Sequence, residues 1–117
     1  MSLATKRFDA PDEVRSFDHG HMDVVDLEGR PVGLSTFEPG WRWSDHMKAK
    51  AGTDSCQVHH FGYVLSGTLG VRMDDGTEVV TGPGAVFDIP PGHDGWVMGD
   101  EACVLLDWGG ALTYAKS

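Results

Sequence analysis

Six histidines and two cysteines are the side chains of this 117-residue sequence best suited to chemistry. His46, His59, His60 and His93 fall within its regularly patterned part, whereas His19 and His21 precede that pattern and carry no chemical expectation. Imidazoles from separate strands converge when alternate side chains face one interior, and three such rings make a site for Zn, Fe, Ni or Cu. Cys56 stands close to the His59-His60 pair, while Cys103 lies in the apolar run Ala102-Cys103-Val104-Leu105-Leu106, where a small buried hydrophobe fits without a chemical role. The two cysteines form no CxxC pair, which removes zinc-ribbon and redox-motif readings and leaves the free thiols of a cytoplasmic protein.

The elements that must position these groups are strands. Glu28-Gly29, Glu38-Pro39-Gly40, Ser66-Gly67, Asp74-Asp75-Gly76, Gly82-Pro83-Gly84, Pro90-Pro91-Gly92, Gly99-Asp100 and Gly109-Gly110 are turn signals spaced too closely for long helices. Between them the pattern predicts strands at Met22–Leu27, Val32–Phe37, Trp41–Met47, Phe61–Leu65, Thr68–Met73, Thr77–Thr81, Ala85–Ile89, Trp96–Met98 and Ala102–Trp108. The fold class is all-β: a sandwich, barrel or jelly roll. Pro11–Phe17 reads as a turn or short helix, and Lys48–Gln57 as the longest loop, placed between two His-bearing strands. Residues 1–21 read as an N-terminal extension and 22–117 as one domain.

Composition narrows the partners. With 40% apolar and 23% charged residues the chain is an ordinary globular one. Its net charge is -9, and Asp74, Asp75, Glu78, Asp88, Asp94, Asp100, Glu101 and Asp107 face only Arg72 between Val71 and Trp108. Such a surface repels phosphate backbones and anionic lipids, so no nucleic acid and no membrane partner is expected. Neither a bilayer-spanning apolar run nor the apolar core of a signal peptide is visible.

Gly40-Trp-Arg-Trp-Ser-Asp-His46-Met-Lys48, followed by His60-Phe-Gly-Tyr-Val-Leu-Ser-Gly67, resembles the first cupin motif. In that motif a Gly precedes a His-x-His pair and a Glu precedes a closing Gly. Gly84-Ala-Val-Phe-Asp-Ile-Pro90-Pro-Gly92-His93 resembles the second. Residues 40–95 carry the likeness. It implies an antiparallel jelly-roll β-barrel, a homodimer, a small-molecule ligand and a divalent transition metal, one of Fe, Zn, Ni, Mn or Cu. The sequence departs from the pattern where Lys48 replaces a His, His60 replaces the Glu and Gly95 stands at the usual position of the second-motif His. Extra residues also separate the halves of the first motif.

The resemblance implies His46, His60 and His93 as metal ligands, since a two-residue offset keeps His93 on the inward face. His59 or Cys56 serves instead if the loop register differs, although adjacent His59 and His60 point to opposite faces; a Cys56 thiolate would bias the site to zinc. If His46 faces inward, alternation also turns Arg42 and Lys48 inward to hold an anionic substrate, with Trp96 as a cavity wall. Trp41 and Trp43 then lie on the opposite face. Metal-dependent oxygenation, isomerisation and decarboxylation are the implied reactions. The alternatives are a non-enzymatic ligand-binding or sensory cupin with a degraded metal site, and a packing module with a filled cavity.

Overall fold

A computed structural model describes residues 3–115. Nine strands, β1 Glu13–Phe17, β2 Gly20–Leu27, β3 Arg30–Phe37, β4 His60–Ser66, β5 Thr68–Met73, β6 Glu78–Thr81, β7 Val86–Ile89, β8 His93–Met98 and β9 Cys103–Asp107, form two antiparallel sheets. One has the order β1-β2-β3-β9-β4-β7, the other β6-β5-β8. Met22, Val24, Phe37, Val64, Phe87, Ile89 and Leu105 of the first meet Leu69, Val71 and Val97 of the second in a single core. This is a jelly roll, and in β4, β8 and β9 the buried residues alternate with exposed or half-buried ones, as a two-sheet core requires.

Two segments differ from the sequence reading. Glu13–Phe17 is a strand, not a turn or short helix: it pairs with β2 from Glu13↔Val24 to Phe17↔Gly20. The large sheet therefore begins inside the stretch read as an extension. Arg15 is the inward residue of that strand, and its guanidinium donates to the carbonyl of Tyr114 at 2.9 Å. A short run with one inward side chain shows no period, which is why this strand was hidden.

Trp41–Met47 is not a strand. Trp43–His46 is a single helical turn, α1, followed by a second, α2, at Lys48–Ala51 within the expected loop. Trp43 and Met47 are four apart and both buried, the spacing of one helical face. The amide of Ser44, at the start of the turn, donates to Asp94 Oδ1 on β8 at 3.0 Å, so a side chain of the small sheet satisfies it.

Close approach of β4 to β9 depends on Gly62, which pairs with Asp107. A Cβ there would stand 1.8 Å from the carbonyl oxygen of Leu106 and 2.8 Å from the Phe87 ring. Gly62→Ala is expected to lower unfolding free energy by at least ~2 kcal/mol, or to prevent folding, because backbone must move to admit the methyl. Gly82→Ala, whose Cβ would meet only Thr68 Oγ1 at 3.7 Å, serves as the control and should stay within ~0.5 kcal/mol of wild type in urea denaturation.

Candidate functional site

Strand alternation directs His60 (β4), His93 (β8) and Asp107 (β9) into the space between the sheets. Cys56 joins them from the loop before β4. Its amide donates to the carbonyl of His93 at 2.7 Å and its own carbonyl accepts from Gly92 at 2.7 Å, so a backbone bridge to β8 fixes its place. The donor atoms of Cys56, His60 and His93 all lie within 4.8 Å of one another.

Both imidazoles are held by their Nδ1 atoms. His60 Nδ1–H donates to Asp107 Oδ2 at 2.6 Å, and His93 Nδ1–H donates to the carbonyl of Pro90 at 2.8 Å. Each ring therefore offers Nε2 as its remaining donor, and His60 Nε2 stands 3.7 Å from Cys56 Sγ. Zinc–sulfur and zinc–imidazole bonds of about 2.3 and 2.0 Å at a tetrahedral angle place their donors ~3.5 Å apart, close to that spacing. Nδ1 anchored by a carboxylate or carbonyl with Nε2 free is the arrangement that surrounds most metal-bound histidines. The donor set of two imidazoles and one thiolate fits a divalent transition metal.

Electrostatics couple these groups. Burial alone raises the Cys56 thiol, but hydrogen bonds from His60 and His93 and their positive charge bring it down to about 6. Burial pulls His60 down, yet hydrogen bonds to Asp107 and Cys56 push it up to about 9. These opposite shifts favour a thiolate–imidazolium pair without metal, and a divalent ion would replace their shared proton. Cys103, fully buried without such partners, is pushed up to about 11 and stays a thiol.

Of the sequence-derived ligands, His60 and His93 come together and His46 does not. His46 lies outside this cluster, beside Asp18 and His19. Because Trp41–Met47 turns into α1, its faces are reversed: Trp41 and Trp43 border the cavity and His46 does not. Arg42 ion-pairs with Asp94 at 3.6 Å and lies 4.7 Å over the Trp96 ring. Trp96 alternates with the inward residues Gly95 and Val97, so it covers Gly70 on the outer face of the small sheet rather than walling the cavity. Lys48 is exposed at the start of α2. His59 faces away and hydrogen-bonds with Asp88 at the surface. Asp107 is the site residue that sequence reasoning missed, and Cys56, weighed only as the ligand of a different loop register, takes the place given to His46. Placing the extra residues of the first motif ahead of Cys56 would have brought it into the ligand half beside His60, and a lone acid closing the apolar strand Cys103–Asp107 was the other signal.

The cavity around this cluster measures about 40 Å³ and is otherwise apolar, with Phe37, Leu69, Val71 and Phe87 among its walls. A second pocket of about 190 Å³ shares Trp43, Cys56 and Tyr114 with it and is bordered by Lys50, Thr53 and Gln57. Gly110, in a 3-10 turn at Gly110–Leu112, closes over the histidine: a Cβ there would stand 2.3 Å from Asp107 Oδ2 and 2.6 Å from His60 Nδ1.

No protein-family model matches the sequence, and no curated protein matches it significantly. Solved structures do match its backbone. A protein of unknown function from Rhizobium leguminosarum bv. viciae 3841 aligns with a TM-score of 0.65 at 21% identity, over 92% of this chain and 95% of that one. The Schizosaccharomyces pombe Cnp3 cupin domain aligns at 0.56 and 16% identity, over 81% of this chain and 65% of that one. The chain has the cupin fold. Bacillus subtilis oxalate decarboxylase, a second cupin, aligns at 0.55 and 22% identity, over 86% of this chain but 28% of its own. The cupin jelly roll places the His60–His93 cluster between its two sheets, where Cys56 meets it.

The ion pair has a defined pH window. A depressed thiol stabilises the fold above its ordinary value near 9 and loses that contribution as pH falls through about 6; a raised imidazole does so below 6.5 and loses it as pH rises through about 9. In chelator-treated protein, the ultraviolet thiolate absorbance that disappears in Cys56→Ser should therefore titrate near pH 6. Asp107→Asn, which removes the charge holding His60 protonated, should move that midpoint upward; a midpoint near the ordinary thiol value in wild type would contradict the pairing.

Proposed function

We propose that this protein is a metal-dependent cupin that binds a small anionic molecule at a centre formed by Cys56, His60 and His93. The observation that carries the reading is the anchoring of both rings by Nδ1 with the thiol placed against the free side of His60. A thiolate among the ligands favours zinc or iron over the harder manganese. Oxalate decarboxylase, which shares the fold, has Mn(II) centres, which supports metal chemistry on this scaffold without setting the ion.

Three protein ligands leave a position for water or substrate, and a metal bound there would act as a Lewis acid towards an oxygen placed on it. One thiolate leaves a divalent ion with residual positive charge, which attracts an anion. Trp41 borders the same cavity, and its buried indole N–H has no hydrogen-bond partner among the described residues, so it is a ready donor to a bound oxygen. Lys50 at the adjoining pocket supplies a cation, the part expected of Arg42 and Lys48. Oxygenation, isomerisation and decarboxylation of a small carboxylate all suit this arrangement.

Two further features belong to this reading. β6 and β7 are the outer strands of their sheets, and Val79, Val80 and Val86 are more than half exposed on them, which supports a homodimer. Both cysteines are free, in keeping with a cytoplasmic protein. Asp107, His60 and Cys56 also form a carboxylate–imidazole–thiol chain, and this favours a second reading in which the thiolate is a nucleophile. Chelated protein that turns over activated esters faster than metal-loaded protein would select it.

Cobalt(II) loading tests the first reading. Wild type should show a sulfur-to-cobalt charge-transfer band that vanishes in Cys56→Ala and is lost or weakened in His60→Ala and His93→Ala. His46→Ala should keep it. Asp107→Asn should weaken metal binding ~10–100-fold by releasing the His60 ring. A wild-type protein without the band after loading would end the metal reading at these residues.

A further inference from the structure

Asp18 and His19 form the two-residue turn between β1 and β2, and His46 ends α1 far along the chain, yet the donor atoms of all three lie within 4.8 Å of one another. The imidazoles of His19 and His46 stack with centroids 4.2 Å apart and planes 35° apart. Asp18 reaches both rings: Oδ1 is 2.9 Å from His19 Nδ1, and Oδ2 is 3.9 Å from His46 Nε2. We propose that Asp18, His19 and His46 form a second divalent-metal site, separate from the cavity, which clasps the β1–β2 turn to the helical segment that walls the cavity.

Three features support a built site. His19 has φ 65, a left-handed backbone that an ordinary side chain rarely adopts and that glycine or asparagine would fill more easily. That backbone is pinned, since the Glu38 amide donates to the His19 carbonyl at 2.8 Å, and it holds the ring against His46. His46 is also held: its Nδ1 is 3.1 Å from both the amide and the carbonyl of Arg42, which turns Nε2 to the side of Asp18, and a metal at Nε2 would take the tautomer in which Nδ1–H donates to that carbonyl. Its side chain is only 15% exposed, so it is fixed by packing, while Asp18 at 67% leaves room for water ligands.

Two imidazoles and one carboxylate suit zinc, nickel or copper better than magnesium or calcium, which prefer all-oxygen shells. The consequence follows from the position of His46. Trp43 and Met47, on either side of it, border the two pockets next to Cys56, so an ion at this clasp would restrain the wall of the cavity.

Zinc is the probe. In the Cys56→Ala/His93→Ala background, which disables the cavity centre, calorimetric titration should show one equivalent bound and a zinc-dependent rise in melting temperature. Adding His19→Gly, Asp18→Asn or His46→Ala should weaken binding at least ~10-fold and abolish that rise. His19→Gly suits the left-handed backbone, so its metal-free stability should not fall and misfolding cannot account for the loss. If the background variant does not fold, the wild-type chain answers the same question: His19→Gly should lose one equivalent of zinc and retain the cobalt–thiolate band. That band reports the cavity centre independently, so failure of one site is distinguishable from failure of the other. Absence of zinc binding in the folded background, or binding undiminished by all three substitutions, would overturn the proposal.

Discussion

A carboxylate sealed between two sheets is the constraint on which the rest of the site depends. Asp107 is 1% exposed, and an acid so placed must have hydrogen-bond donors because burial without them costs several kcal/mol. It has two: the Gly110 amide on Oδ1 at 2.7 Å and the His60 ring on Oδ2 at 2.6 Å. The first bond draws the 3-10 turn over the end of the jelly roll, and only a glycine fits that near to the acid and the ring. The second orients His60, and the orientation of His60 decides that its other nitrogen faces Cys56. One residue thus sets the ring, the charge on the thiol and the cover of the cavity.

That dependence explains what could and could not be read from the sequence. Where a strand crosses the core with regular alternation, turn spacing placed it closely: Thr68–Met73 is β5 without change, and Ala102–Trp108 differs from β9 by one residue at each end. The inward direction of His60 and His93 follows from the same alternation. Trp41–Met47 has aromatic content that suits a strand equally well, and its helical turn depends on a tertiary contact, the Asp94 carboxylate on the Ser44 amide, that no local pattern records. Once that segment was read as a strand, its parity exchanged the wall residues Trp41 and Trp43 for His46 and Arg42. Asp107 was counted with the surface acids, because composition does not distinguish a solvated carboxylate from one that anchors a ring.

The same accounting separates the two cysteines. Both are buried, and burial raises a thiol, as it does for Cys103 with the charge of Glu101 adding to it. At Cys56 the imidazoles of His60, four residues on, and of His93, from β8, outweigh burial, so the difference between the two sulfurs arises from what lies across the cavity. Asp107 reaches Cys56 only through His60, so a carboxylate six strands further along the chain governs the state of the sulfur.

Cavity size then limits what the centre can accept. A space of about 40 Å³ holds only a few water-sized groups beside the ligand atoms, since each needs ~10–15 Å³ of such volume. Larger molecules must therefore lie mainly in the adjoining 190 Å³ pocket and present one small group past Cys56. Tyr114 forms a shared wall of both spaces, is packed edge-on against His60 at 4.9 Å, and is held by its carbonyl through Arg15. The strand β1 thus bears on both spaces although none of its residues borders the cavity: Arg15 fixes the position of Tyr114, and Tyr114 is a wall of each. A ligand with a compact oxygen-bearing head and its remaining atoms beside Lys50, Thr53 and Gln57 satisfies both the volume and the polarity of these spaces.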